Sequence, residues 1–134
     1  MYVQIVDYHG NHISIDPSRV IKLRAATLSD EPVQTVFVDY ASNGTFAKGT
    51  LPQMAKLFGT YIKLAELHAP DSTPIFVNKA GIAAVGVDNK YAGNAVLIVT
   101  VEFENMRVPA RNKIAVQETV AEAQAILDAA TFAV

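Results

Sequence analysis

The spacing of apolar residues along this chain predicts two helices. Apolar residues recur at helical spacing over residues 51–65 and form one broad face. Thr50 and Gln53 have the spacing of a capping box at the start of this helix. A second helix, richer in alanine, is predicted over 120–130 and is introduced by the same Thr-x-x-Gln/Glu pattern, beginning at Thr119.

Short apolar or alternating runs bounded by turn residues predict β-strands before the first helix and between the two helices. The predicted strands cover residues 2–7, 12–15, 20–27, 34–40, 45–48, 75–77, 82–87, 95–103, 106–108 and 114–116. The run 95–103 is the most apolar, which indicates burial on both faces of its sheet.

The same pattern of residues occurs twice along the chain. Ile15 is followed by apolar residues at three positions, and Val77 is followed by apolar residues at the same three offsets. Each half then has a strand ending in an acid and an aromatic residue, Asp39-Tyr40 in the first and Glu102-Phe103 in the second. Each half closes with a capped helix.

This repetition predicts an α+β fold built from an internally duplicated unit. Each unit has three to four antiparallel strands followed by one helix, and the two copies share a core. The first copy spans residues 1–68, the proline-rich segment 69–74 is a linker, and the second copy spans 75–134. A unit of this size is marginally stable alone, so we expect one compact globular body.

Composition limits the class of protein. Hydrophobic residues make up 51% of the 134 residues and charged residues only 18%, so the chain has ample apolar surface for a core. The low charge indicates either a surface covered by another subunit or simply a β-rich core. The net charge of −2 shows no basic excess of the kind that nucleic-acid-binding proteins usually carry.

The chain has no cysteine, which excludes disulfides, a thiol nucleophile and a cysteine-ligated zinc site. The first residues lack the features of a signal peptide, and no apolar run approaches the roughly 18 residues of a membrane span. We therefore expect a cytoplasmic protein that does not cross a membrane.

The densest positive charge is the cluster of Arg107, Arg111 and Lys113. Arginine offers a planar fork of donors that suits phosphate or carboxylate, and Lys90 and Tyr91 in a nearby loop could add a cation and an aromatic surface. The cluster is the candidate ligand-binding site. The alternative is a solvated edge strand protected from further pairing by its charges and a proline.

Other candidate groups carry less chemistry. If His9 and His12 flank a two-residue hairpin turn, they form a cross-strand pair, but no third metal ligand is visible and an exposed turn pair is the alternative. Asp39 and Glu102 could do acid–base work or could lie on the wet side of amphipathic strands. No phosphate loop, nucleophile elbow or dinucleotide fingerprint occurs. We assign no catalytic residue, metal or cofactor, and the sequence favours a protein that is not an enzyme.

The run 115–122, entered from a hairpin, resembles many small bacterial and phage domains in which a strand leads into a helix. This resemblance is too generic to imply a role for any residue. The leading hypothesis is a non-enzymatic binding or assembly protein of phage or bacterial origin that associates with itself.

Two further hypotheses stay open. The chain could bind an anionic small molecule such as a nucleotide through the arginine cluster, or contact a host protein. It could also bind single-stranded nucleic acid on an exposed sheet, where Tyr40, Phe46 or Phe103 would stack on bases. The acidic balance of the chain argues against nucleic acid.

Overall fold

The computed structural model describes residues 1–40, 43–88, 90, 94–99 and 113–133. Within these residues the chain forms ten strands and two helices, which confirms the predicted α+β class. The strands are β1 (Val3–Val6), β2 (His12–Ile15), β3 (Val20–Ala25), β4 (Thr35–Tyr40), β5 (Asn43–Lys48), β6 (Leu64–His68), β7 (Pro74–Asn78), β8 (Ile82–Val87), β9 (Ala95–Val99) and β10 (Lys113–Ala115). The helices are α1 (Leu51–Gly59) and α2 (Val120–Ala129).

The described strands form three antiparallel sheets. The central sheet has five strands in the order β5-β4-β3-β7-β6. A hairpin of β1 and β2 and a three-stranded sheet in the order β10-β9-β8 complete the set. Pairing of β3 with β7 joins the first part of the chain to the second inside one sheet.

Apolar side chains on the two faces of the central sheet form two separate clusters. Neighbouring residues of a strand point to opposite faces, so Phe76 contacts the first cluster while Val77 belongs to the second. The first cluster contains residues of the β1–β2 hairpin and α1, including the fully buried Phe58. The second contains residues of the three-stranded sheet and α2, including the fully buried Leu97.

Both helices begin where the sequence predicts, because a capping box depends only on local spacing. Thr50 Oγ1 accepts the Gln53 N–H and Gln53 Oε1 accepts the Thr50 N–H. The second helix has the same reciprocal pair between Thr119 and Glu122.

The first helix ends at Gly59, several residues before the predicted end. The last two residues of the predicted helical run, Leu64 and Ala65, begin strand β6 instead, in which buried Ala65 and Leu67 alternate with exposed Glu66. Pairing with β7 satisfies the backbone of this segment, so Ala65 and Leu67 face the second cluster as strand residues.

The predicted linker 69–74 joins two strands that pair with each other. Ala69 N–H donates to Thr73 O over 2.8 Å, and Ser72 N–H donates to Ala69 O over 2.8 Å. Ser72 has a φ of 72°, and the Asp71 carboxylate accepts bonds from the N–H and hydroxyl of Thr73. The segment is therefore the tight turn of the β6–β7 hairpin.

His9 and His12 do not form the cross-strand pair that a two-residue hairpin turn would give. Register pairs Val6 with His12, which leaves His9 in a longer loop. The Asp7 carboxylate organises this loop by accepting the N–H groups of His9 and Asn11 over 3.0 and 2.7 Å. In the described part of the chain, no group of three or more His, Cys, Asp or Glu residues is arranged to hold a metal ion.

A β-bulge interrupts the β3–β4 pairing between Val20 and Lys22, and another interrupts β8–β9 between Ile82 and Ala84. A bulge changes the face to which the following side chains point. Ile21 therefore contributes to the second cluster, and the polar residues after it point to the same face of the sheet.

The bulges set which residues face each other at the strand ends. Asp39 pairs with Lys22 and Tyr40 with Val20, while Ile98 pairs with Ala84 and Val99 with Ile82. Glu102 and Phe103, which the sequence pattern matches to Asp39 and Tyr40, lie outside the described residues, so that match stays a prediction.

None of the helices in the described ranges is long and apolar enough to cross a membrane.

Candidate functional site

One face of strands β3, β4 and β5 carries polar and aromatic side chains instead of a packed apolar layer. Register aligns these residues across the three strands on the side opposite to the fully buried Leu23 and Val38. We name this surface the open face and define it by Lys22, Arg24, Phe37, Asp39 and Phe46, all of which are half-buried.

Aromatic rings follow one another across the open face. The ring centres of Phe37 and Phe46 lie 5.0 Å apart, and the Tyr8 ring meets Phe46 edge-on with 6.0 Å between centres. Tyr8 comes from the β1–β2 loop and is held there by its N–H, which donates to Phe46 O over 3.0 Å. We name Phe37, Phe46 and Tyr8 the aromatic row. His9 lies against Tyr8, with 3.9 Å between ring centres.

The position of Phe37 depends on a glycine in the neighbouring strand. Gly44 pairs with Asp39, and a Cβ atom at Gly44 would collide with the Phe37 ring. The ring therefore fills the space that any other residue at this position would need.

Arg24 joins the aromatic row to the charged part of the open face. Its Cζ lies 4.8 Å from the centre of the Phe37 ring, within cation–π range. Its Nη1 and Nη2 donate to Oε1 and Oε2 of Glu31 over 2.9 and 2.6 Å. These bonds lower the pKa of Glu31 from 4.5 to about 2 and raise the pKa of Arg24.

Lys22 and Asp39 form a cross-strand pair beside Arg24. Burial lowers the pKa of Lys22, and the Asp39 carboxylate partly opposes this effect. Burial also raises the pKa of Asp39, against the effect of the Lys22 and Arg24 cations. Both charges are therefore poorly solvated. An approaching anion would be strongly attracted by Lys22 and strongly repelled by Asp39 in such an environment.

A cleft of about 350 Å³ lies beside this pair and contains cations from two sheets. Lys22 and Arg24 line it from β3, and Lys113 lines it from β10. Lys113 Nζ lies 3.8 Å from Asp88 Oδ2, and Asp88 Oδ1 accepts the Lys90 N–H over 3.0 Å. Asp88 thus contacts the side chain of Lys113 and the backbone of Lys90, and Lys113 also lines the cleft opposite β3.

The other three residues of the predicted ligand site, Arg107, Arg111 and Tyr91, lie outside the described residues. The five-residue site therefore stays a prediction. Sequence reasoning missed Lys22 and Arg24, although they alternate with buried Leu23 and so have the pattern of a half-exposed strand.

The aromatic residues predicted to stack on bases have different positions. Phe46 lies in the aromatic row. Tyr40 points to the first apolar cluster instead, and its hydroxyl lies 3.0 Å from Thr45 Oγ1. Phe103 lies outside the described residues.

Sequence comparisons identify no relative: no family model matches the chain, and no curated protein matches it. Among solved structures, the chain is similar to a Bacillus cereus domain described as the LytTr DNA-binding domain of a methyl-accepting/DNA response regulator. The TM-score is 0.54 at 17% sequence identity, and the match covers 92% of this chain and 91% of that one. At this identity the comparison shows a shared fold.

This similarity contradicts the leading functional expectations from sequence. A self-associating assembly protein, a host-protein contact and an anionic small-molecule binder were expected, and nucleic acid was argued against, whereas the solved domain with this architecture is described as DNA-binding. The expectation against nucleic acid rested on net charge, which is a sum over the whole chain and does not describe local charge. Lys22, Arg24 and Lys113 nevertheless meet at one cleft.

Proposed function

We propose that this chain is a DNA-binding domain and that the open face is its contact surface. The observation that carries the proposal is the meeting of Lys22, Arg24 and Lys113 around one cleft, in a chain whose fold resembles that of a domain described as DNA-binding. The predicted cytoplasmic location is compatible with this role.

The charges of the open face suit a modest electrostatic contact. Cationic side chains bind phosphate oxygens and release counterions from DNA, so affinity falls as salt rises. Three phosphate contacts, one for each cation at the cleft, correspond to a slope of roughly −2 to −3 in a plot of log affinity against log salt. The Glu31 carboxylate holds Arg24 in place through two hydrogen bonds, and the Asp39 carboxylate, which is paired across the strands with Lys22, limits non-specific attraction.

We also propose that the chain is a tandem duplication. Two observations on the β1–β2 and β6–β7 hairpins support this. Val3 pairs with Ile15 and Ile5 with Ile13 in the first hairpin. The residues at one constant displacement along the chain pair in the same way in the second hairpin, Ala65 with Val77 and Leu67 with Ile75. Each hairpin leads into a short 3₁₀ helix, capped by the side chain of Asp16 in one half and Asn78 in the other. The matched bulges and capping boxes give further support.

In a duplicated fold, residues that are similar in both halves are explained by folding, whereas residues found in one half alone need another explanation. The displacement that relates Val3 to Ala65 relates Lys22 to Ala84 and Arg24 to Gly86. Matching by strand register relates Phe37 to Val96 and Phe46 to Ala115. Because the second half builds the same strands with small or aliphatic residues, the cations and rings of the open face are best explained by binding. The differences between the two halves that bear on binding are thus the cations and rings of the first half.

Fluorescence anisotropy with a labelled oligonucleotide of mixed sequence tests the proposed function. Titrations run from about 50 to about 200 mM salt, on both single-stranded and duplex forms. Lys22→Gln and Arg24→Gln should each weaken binding and reduce the salt slope by about one. Lys56→Gln is the matched control, because Lys56 is an exposed cation on α1, which packs against the opposite face.

The control variant should bind like the unmodified chain. Absence of binding to either DNA form at the lowest salt would overturn the proposed function. Equal losses in Lys56→Gln and in the two open-face variants would overturn the assignment to the open face, because they would indicate a diffuse charge effect.

A further inference from the structure

We infer that the open face recognises unpaired nucleobases, so that the DNA bound by this chain is single-stranded. The inference rests on the proposed DNA binding and names its substrate class. The aromatic row supplies the contact: Phe37, Phe46 and Tyr8 are consecutive ring neighbours across the β3–β4–β5 surface. Tyr8 is 45% exposed, which makes it the most accessible ring of the row.

The chemistry of an aromatic surface selects single strands. Bases in a duplex are stacked on one another and offer only their edges to a protein, whereas unpaired bases offer a flat π-face. Aromatic rings on a sheet surface typically stack on two or three bases. The aromatic row has the extent for a contact of this size, since its ring centres are 5.0 and 6.0 Å apart.

Cations flank the aromatic row, as the phosphates of a DNA strand with its bases stacked on the rings require. Arg24 lies over Phe37 at one end and Lys22 lies two residues before it on β3, on the same face, so phosphates could follow the edge of the stacked bases. At the other end His9 lies against Tyr8 and adds a further flat ring. Stacking with cationic support to the backbone is the general arrangement of sequence-tolerant single-strand binding.

In the proposed duplication, the second half builds its strands without an aromatic row. The register counterparts of Phe37 and Phe46 in the second half are Val96 and Ala115, which build equivalent strands without rings. Rings that folding does not need, at a half-exposed surface with cations, have the properties of a binding surface.

The decisive experiment compares three ligands of the same length, about 12 nucleotides. They are a single strand, its duplex, and an abasic strand that keeps every phosphate but has no bases. We expect the single strand to bind at least tenfold more tightly than either of the others. This comparison needs no variant and is independent of effects on folding.

Two matched pairs of variants then locate the stacking surface. Tyr8→Leu should weaken single-strand binding about fivefold or more, while Tyr61→Leu should not, although Tyr61 is similarly exposed at 43%. Phe46→Leu should weaken it as well, while Phe132→Leu should not, because the half-exposed Phe132 lies near Lys63 instead of the open face. Thermal unfolding of each variant verifies that it is folded.

The outcomes separate this inference from the proposed function. Equal affinity for the abasic and normal strands, or tighter binding of the duplex, would overturn base stacking and leave DNA binding intact. Single-strand binding that is unchanged in both Tyr8→Leu and Phe46→Leu would likewise overturn it. Failure to bind any of the three ligands would overturn the proposed function itself.

Discussion

The Arg24 guanidinium lies 4.8 Å from the centre of the Phe37 ring, so one side chain connects the cationic and the aromatic parts of the open face. The same guanidinium makes two hydrogen bonds to Glu31, which fix its plane. A guanidinium that is held in this way loses little side-chain entropy when it meets a phosphate. At the proposed DNA contact surface, the orientation of Arg24 is therefore fixed before binding.

Replacement of Glu31 by glutamine should lower stability at neutral pH and make this loss dependent on pH. The folded pKa of Glu31, about 2, is below its ordinary value of 4.5. A carboxyl group with a depressed folded pKa contributes stability that is fully present above the unfolded pKa and is lost as pH falls toward the folded pKa. We expect Glu31→Gln to lower the free energy of unfolding by about 1–2 kcal/mol at pH 7.

Urea unfolding of the unmodified chain and Glu31→Gln between pH 7 and pH 2 measures this difference. The gap should narrow as the pH falls from about 4.5 toward 2. Glu66→Gln is the control, since Glu66 is an exposed carboxylate on β6. A gap that stays constant over this pH range would contradict the assigned role of the ion pair.

Asp39→Asn should increase affinity for DNA. The Asp39 carboxylate lies on the open face, paired across the strands with Lys22, and repels phosphate there. Its removal should tighten binding roughly threefold to tenfold at low salt, with a smaller gain at high salt. Anisotropy titrations at two salt concentrations measure the gain, and an affinity that is unchanged or weaker at low salt would argue against phosphate contact on this face.

The same substitution makes a second prediction for stability. Burial raises the pKa of Asp39, so the charged form costs free energy in the folded state at neutral pH. An acid with a raised folded pKa destabilises the fold above that pKa, and the penalty disappears below the unfolded value, about 3.9. Asp39→Asn should therefore be at least as stable as the unmodified chain at pH 7, and this advantage should be lost below about pH 4.

Features that depend on local spacing could be predicted from the sequence. Both capping boxes and the bounds of β8 are such features, since they require only a few neighbouring residues. The predicted end of α1 was wrong because the apolar spacing near Ala65 fits a helix and a strand equally well. This segment forms a strand because it pairs with β7, and that pairing is not visible in the local sequence.

The open face could not be predicted because its residues come together only through pairing between strands. Phe37 meets Phe46 because of the β4–β5 register, and Tyr8 reaches Phe46 because the β1–β2 hairpin joins the edge of β5. A bulge after Val20 then sets the face to which Lys22 points. Of the open face, only Phe46 and Asp39 were named from the sequence, Phe46 as one of several aromatic residues on predicted strands and Asp39 as an acid–base group or a carboxylate on the wet side of a strand.

Asn78 should be far more sensitive than Asp16 to exchange between an amide and a carboxylate, although the side chain of each caps a 3₁₀ helix. Asn78 is 1% exposed, its Oδ1 accepts the Ala80 N–H, and its Nδ2 donates to Val20 O over 2.9 Å. In Asn78→Asp the donor is lost and a carboxylate oxygen faces a carbonyl oxygen. We expect a loss of about 1–3 kcal/mol in the free energy of unfolding.

The reciprocal change provides the control for Asn78. Asp16→Asn keeps an acceptor for the Ser18 N–H at an exposed site, so its unfolding midpoint should change little. Urea unfolding of the two variants side by side compares the sites. Similar losses of unfolding free energy in both variants would indicate that the hydrogen bond from Asn78 Nδ2 to Val20 O adds no stability beyond the capping bond from the Ala80 N–H.

Gly44→Ala should disturb the aromatic row directly. The new methyl group would collide with the Phe37 ring, which must move away from Arg24 or strain the strand. We expect a loss of about 1–3 kcal/mol in stability, together with weaker binding of single-stranded DNA.

Gly86→Ala is the matched control for Gly44→Ala, because a Cβ at Gly86 meets nothing within 4 Å. Alanine in its strand should be neutral or stabilising by about 0.4–1 kcal/mol. Thermal unfolding and anisotropy on both variants measure the effects. If Gly44→Ala binds and unfolds like Gly86→Ala, the Phe37 ring is not fixed by the glycine beneath it.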